Sequence, residues 1–109
     1  MSSPFKVGDV IRLRSATVRN DVGGTSFLPP GGYEARVGRV WHDRETGWHC
    51  EAALTTAAGL AASAAAGTTG FKPGDYAKYG EAHEAGVRAA SEAFDPSTVY
   101  ASESDLAGG

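Results

Sequence analysis

Between Val10 and Arg14 apolar and charged residues alternate, with Val10, Arg12 and Arg14 on one side and Ile11 and Leu13 on the other. A period of two predicts a half-buried strand. The same period returns from Tyr33 to His42 and from Trp48 to Leu54, with the reversal "DRETG" between them. Gly47 supplies the positive φ that such a tight turn needs, and Gly38 marks a bulge or bend in the first arm. With His42 opposite Trp48, one face of this hairpin carries Val40, His42, Trp48 and Cys50. The other carries Arg39, Trp41, His49 and Glu51. A tryptophan on each face predicts one buried ring and one at least partly shown to solvent or a partner.

The rest of the chain breaks this rhythm. "ATVRNDVGGTSFLPPGG" is turn chemistry throughout, a long loop or irregular hairpin. Residues 55–70 are Ala-, Gly-, Ser- and Thr-rich, either a short packed helix with close approach or a linker. "YAKYGEAHEAGVRAASEAF" predicts a helix from about Tyr76 to Phe94, with Tyr79, His83, Gly86, Ala90 and Phe94 on one stripe. Glu84, Arg88 and Glu92 pair on its exposed side, Asp75 caps its start, and Asp95-Pro96 stops it. "STVYASESDLAGG" reads as a short strand and a tail.

One repetition bears on the number of domains. "FKVGD" at 5–9 returns as "FKPGD" at 71–75. Trp48 is followed by Glu51 and Leu54, and Tyr100 by Glu103 and Leu106, at the same offsets. Two tandem small β units, the second shrunken, is therefore an alternative. The competing reading is that Gly-Asp turns and aromatic strands recur by chance, and the helical period after residue 76 favours it.

Composition narrows the picture. The chain has 109 residues, enough for one ordinary domain, and 41% of them are hydrophobic. Nineteen are Ala, however, and the large apolar groups cluster in 5–60, where the core is expected. Net charge is −3; residues 1–50 carry seven Lys or Arg against five acids, and residues 51–109 three against eight. That balance is too acidic for a chain whose main work is gripping phosphates, though it suits a weakly basic sheet meeting complementary neighbours. Cys50 is the only cysteine, so no intramolecular disulfide is expected. "MSSPFKVGD" lacks a charged-then-apolar leader, and no apolar run approaches the ~20 residues of a membrane span. The expected location is a virion or the cytoplasm of a bacterial host, without secretion by a signal peptide and without membrane contact.

The phrases "FKVGDVIRLR", "GGYEARVGRVW" and "GWHCEAAL" resemble the opening and later strand of SH3-like small β-barrels. These include the KOW-type domains of ribosomal and transcription factors and the C-terminal barrel of the nitrile hydratase beta subunit. The resemblance covers residues 5–54 and implies a barrel there. "SFLPPGGYEAR" departs from the Thr-Arg-x-Pro stretch of the nitrile hydratase barrel, so it implies no activity. In size and Ala-Gly-Thr richness the chain is similar to small accessory proteins of tailed-phage virions, such as capsid-decorating, head-completion and head-tail connector components.

Candidate chemistry adds little. His42, His49 and Cys50 lie close on the hairpin, but zinc wants four ligands or three and an open position, and neither C-x-x-C nor H-x-x-x-H spacing is present. His49 with Glu51, or His83 with Glu84, lacks a nucleophile and an orienting group. Gly23-Gly24 and Gly31-Gly32 lack the Lys-Ser/Thr and following helix of a phosphate loop. Arg12, Arg14, Arg19, Arg36, Arg39 and Arg44 among Tyr33, Trp41 and Trp48 fit nucleic acid, but Trp, Tyr and Arg are equally the anchors of protein interfaces.

The sequence thus predicts a mainly β protein. Residues 1–54 form a small SH3-like antiparallel barrel, 55–70 an Ala-rich connector, and 71–109 a C-terminal helix and short strand. The expected function is non-enzymatic: a structural or assembly protein binding other subunits, self or virion. No catalytic residue, cofactor or metal is expected. The expected contact residues are Arg39, Trp41, His49, Phe27, Leu28 and Tyr33, with the loop 20–32 reaching a neighbour and the acidic tail a second contact. A nucleic-acid-binding barrel and an accessory domain of an enzyme complex are the alternatives.

Overall fold

The alternation of residues 33–54 becomes the longest strand pair in the chain, β4 (Tyr33–Asp43) against β5 (Gly47–Leu54). His42 stands opposite Trp48, and Gly47 takes φ 86° at the reversal. The register slips between Val37 and Arg39, so Gly38 is the extra residue of a bulge. Its consequence is a change of phase. Tyr33, Ala35 and Val37 face the core before it; beyond it Val40 takes the inward side, and Arg39 and Trp41 point outward.

A computed structural model describes residues 2–108 and places four more strands around this hairpin. They are β1 (Val10–Leu13), β2 (Thr17–Arg19), β3 (Thr25–Phe27) and β6 (Thr98–Ser102). All pairings are antiparallel, and the order across the open sheet is β1-β4-β5-β6-β2-β3. The mainly β expectation therefore holds, as an open six-stranded sheet with two helices. Beyond its pairing with β4, β1 is tied to the segment following β6: Leu13 bridges Leu106, Arg14 N–H donates to Asp105 C=O, and Ala107 N–H to Arg12 C=O.

Strand β6 crosses the division expected at residue 54. This strand lies between β5 and β2, so β2 and β3 join the remainder of the sheet only through it. Residues 1–54 hold two separate pieces, β1-β4-β5 and the β2-β3 hairpin, and become one sheet only through β6. Val99 and Ala101 enter the core beside Cys50 and Ala52. They join Phe5, Leu13, Val18, Leu28, Tyr33, Val37 and Leu54, a set of mostly small side chains in close contact.

The Ala-rich stretch 55–70 is a helix rather than a linker: α1 (Ala57–Gly67), capped by Thr56, whose hydroxyl accepts from Gly59 N–H at 3.0 Å. It has no charged residues and owes its order to packing. Gly59, Ser63 and Gly67 form its buried stripe, four residues apart, and lay the helix on the core. A side chain at Gly59 would meet Leu54 and Tyr33; one at Gly67 would meet Val18 and, at 2.7 Å, the ring of Phe94.

The predicted helix 76–94 is broken. A 3₁₀ turn spans Ala77–Tyr79, Gly80 takes φ 101°, and α2 runs from Glu81 to Glu92. Asp75 does not cap it; its carboxylate accepts from Lys72 N–H within the preceding turn, and Gly80 is the N-cap residue. Val87, outside the predicted stripe, is the buried residue of α2. The Glu84–Arg88 ion pair forms at 3.1 Å.

The "FKxGD" echo is a shared turn. Asp9 N–H donates to Lys6 C=O at 3.0 Å and Asp75 N–H to Lys72 C=O at 3.1 Å, with Gly8 at φ 93° and Gly74 at φ 96°. Both are type II turns. The first leads into β1 and the second into the 3₁₀ turn, so the tandem-unit alternative finds no second sheet unit after residue 71.

Candidate functional site: the outer face of the sheet

Each strand of an antiparallel sheet puts paired residues on the same face. Following the pairing across the sheet gives one row, Phe27–Thr17–Tyr100–Glu51–Arg39, contributed by β3, β2, β6, β5 and β4. A neighbouring row runs Trp41–His49–Ser102. Both lie opposite the core. Four of the expected contact residues, Phe27, Arg39, Trp41 and His49, are thereby gathered on one face from two separate parts of the chain.

Their side chains are ordered by one another. Arg39 Nε lies 3.1 Å from the Glu51 carboxylate, and its guanidinium sits 4.7 Å from the centre of the Trp41 ring. Trp41 stacks on His49, with centroids 5.9 Å apart and planes 13° from parallel. His49 Nε2 is 2.7 Å from the Thr46 hydroxyl, which anchors the stack to the hairpin turn. In that turn Asp43 accepts from Glu45 N–H and Thr46 N–H, which holds its carboxyl below the usual carboxylate range. Trp41 is 36% exposed and Phe27 80%.

Leu28 and Tyr33 belong elsewhere. They are 4% and 5% exposed, inside the core, so neither reaches a neighbour. Leu28 follows Phe27 by one residue and must face the opposite way; its N–H donates to Ala16 C=O. Tyr33 starts β4 facing inward, and its hydroxyl donates to Pro29 C=O, which pins the Pro-Pro loop to the sheet. The loop 20–32 is likewise no free arm: Asn20 is buried, with its side-chain oxygen accepting from Val22 N–H and Gly24 N–H.

Four residues of these rows, Thr17, Tyr100, Glu51 and Ser102, were absent from the expected contact set. Tyr100 and Thr17 sit at the middle of the face, and the signal for Tyr100 was its place between the apolar Val99 and Ala101. Beside Tyr100, α2 borders the sheet and leaves a groove of about 480 Å³, walled by Ala90, Phe94, Arg19 and Glu51. A separate aromatic group lies along residues 71–83, where Tyr76 stands 5.8 Å from Phe71, 6.1 Å from Tyr79 and 5.6 Å from His83.

The hairpin's histidines and cysteine are split by the sheet. His49 is on the outer face, while His42 and Cys50 are on the inner, where His42 packs edge-on against Trp48 at 4.7 Å. Cys50 is fully buried, which pushes its thiol up to about 11. Among the described residues no three His, Cys, Asp or Glu side chains are grouped to hold a metal ion, and no helix is long and apolar enough to cross a membrane.

Comparison with protein-family models, with curated proteins and with solved structures found no match.

Proposed function

We propose that this chain is a structural or assembly protein that binds other protein subunits through the outer face of its sheet, in the manner of the small accessory proteins of tailed-phage virions. The observation that carries the reading is the Arg39–Trp41–His49 stack. Trp and Arg are the residues that anchor protein interfaces, and here the guanidinium is already laid on the indole and paired with Glu51. Side chains held in one arrangement lose less freedom on binding. The Glu51 carboxylate also offsets the Arg39 charge, which suits a protein partner better than a phosphate backbone. The phage assignment rests on size and composition alone. We read the tie between β1 and residues 105–107 as partial closure of the SH3-like type.

The test is sedimentation velocity on the purified chain together with cross-linking and mass spectrometry in its native extract. The expected result is an assembly well above 11.2 kDa that loses subunits with Trp41→Ala or Arg39→Ala while circular dichroism is unchanged. A chain that stays monomeric in both settings overturns the reading. So does one whose only ligand is nucleic acid, bound with an affinity that falls steeply with salt.

A further inference from the structure

The two edges of the sheet differ. β1 is covered by residues 105–107, whereas β3 is the last strand of the sheet, with α1 packed against it but no strand paired to its outer edge among the described residues. Within β3 the direction of each backbone group follows from its pairing. Leu28 N–H donates to Ala16 C=O and Asn20 N–H to Gly24 C=O, so the bonded pairs along this hairpin are the even-numbered ones, and Ser26 bonds with Val18. The N–H and C=O groups of Thr25 and Phe27 therefore point away from β2, and among the described residues none has a hydrogen-bond partner.

Exposed edges in soluble proteins are usually guarded by keeping the strand short, as the three-residue β3 is, or by a charged side chain, a proline or a bulge within it. β3 reads Thr-Ser-Phe and carries no charge, proline or bulge. Its Phe27 ring is 80% exposed beside the open backbone. We infer that β3 pairs antiparallel with β3 of a second copy of this chain, joining two sheets edge to edge about a two-fold axis.

The sequence around β3 allows a single register. Centred on Ser26, Thr25 faces Phe27 of the second copy and Phe27 faces its Thr25. All four outward N–H groups then meet outward C=O groups. Centred on Phe27, Thr25 would face Pro29, which has no N–H. Centred on Thr25, Phe27 would face Gly23, whose N–H is already given to Asn20 C=O and whose φ of 86° is outside the strand region. In the allowed register the two Phe27 rings are diagonal neighbours on the outer face, within aromatic reach. The row from Arg39 to Phe27 would then continue into the second copy. This inference rests on the reading that the chain binds protein subunits, and it names one such subunit.

Sedimentation equilibrium with edge variants tests it. Thr25→Pro removes an outward N–H that bonds nothing within one copy, so the monomer keeps its own ladder; Thr25→Val keeps that N–H. The expected result is a dimer whose dissociation constant rises roughly tenfold or more with Thr25→Pro and stays within about twofold with Thr25→Val, both variants giving unchanged circular dichroism. Ser26→Cys is the positive control: two such residues face each other across a non-bonded pair with Cα atoms about 4.5 Å apart, within disulfide reach. It should cross-link under mild oxidation, whereas Thr25→Cys should not, and buried Cys50 does not compete. A monomeric chain, or a dimer indifferent to Thr25→Pro and uncrosslinked at residue 26, overturns strand pairing. Association lost with Trp41→Ala but kept with Thr25→Pro overturns it too while leaving the outer-face reading intact.

Discussion

Val99→Ala tests whether residues 98–102 belong to the centre of the protein. Val99 is fully buried, paired with Ala52 on one side and Val18 on the other, both of them core residues. The substitution removes two methyl groups, each contributing about 0.8 kcal/mol by transfer from water. It also leaves a hole of about 50 Å³, which at ~24 cal/mol per Å³ adds about 1.2 kcal/mol where neighbours do not relax. The small side chains around it, Ala52 and Ala101 among them, have little reach with which to fill the space. The expected loss is thus about 3 kcal/mol, equivalent to a fall in Tm of roughly 13 °C for a chain of this size. Urea unfolding followed by tryptophan fluorescence and by far-ultraviolet circular dichroism measures it, and agreement of the two probes checks that unfolding is two-state. A loss under about 1 kcal/mol, in the range of surface substitutions, would place the strand outside the core and refute the sheet order.

Two further outcomes follow from the helix stripe and the buried thiol. Gly67→Ala should destabilise by about 1–2 kcal/mol, because its Cβ displaces the Phe94 ring, although alanine gains up to about 1 kcal/mol in helix propensity. In a Phe94→Ala background the same change should be neutral or stabilising, and a double-mutant cycle with no coupling would contradict the packing. Cys50 should resist a thiol reagent at pH 8 in the native protein and react fully in urea. Its folded-state value lies above the unfolded 9.0, so the unfolded chain releases the proton first, and stability should fall as pH rises from 9 toward 11. A Cys50→Ala variant should lose that part of the pH dependence.

The legible parts of this fold are those whose partners are near in sequence. The hairpin 33–54 gave its pairing, its bulge at Gly38 and its two faces from alternation alone, because register and period act over a dozen residues. The outward placing of Arg39, Trp41 and His49 was legible from the same alternation, whereas Phe27 shows its face only through its pairing with Thr17. Leu28 and Tyr33 were misplaced since an apolar residue next to a Pro-Gly loop carries no local sign of which way it faces. The place of β6 depends on contacts with β2, some eighty residues earlier, and "TVYAS" says nothing about them. Helix α1 was ambiguous because it is stabilised by what it lies on, with glycine and serine admitting the core where propensity alone would leave it frayed. The break at Gly80 reflects competition between a helical pattern on both sides and a residue free to leave it.

The insertion of β6 between β5 and β2 also sets an order of events for the newborn chain. Residues 17–27 emerge early from the ribosome with both strand edges bare, and although α1 can cover their apolar side, they must wait for residue 102 to emerge before the strand that joins them to the rest of the sheet reaches them. Sheets assembled from such distant pieces form slowly, and an unfinished one offers its edges to whatever is near. Stalled nascent chains of increasing length should therefore become resistant to protease abruptly once β6 clears the tunnel, rather than in steps.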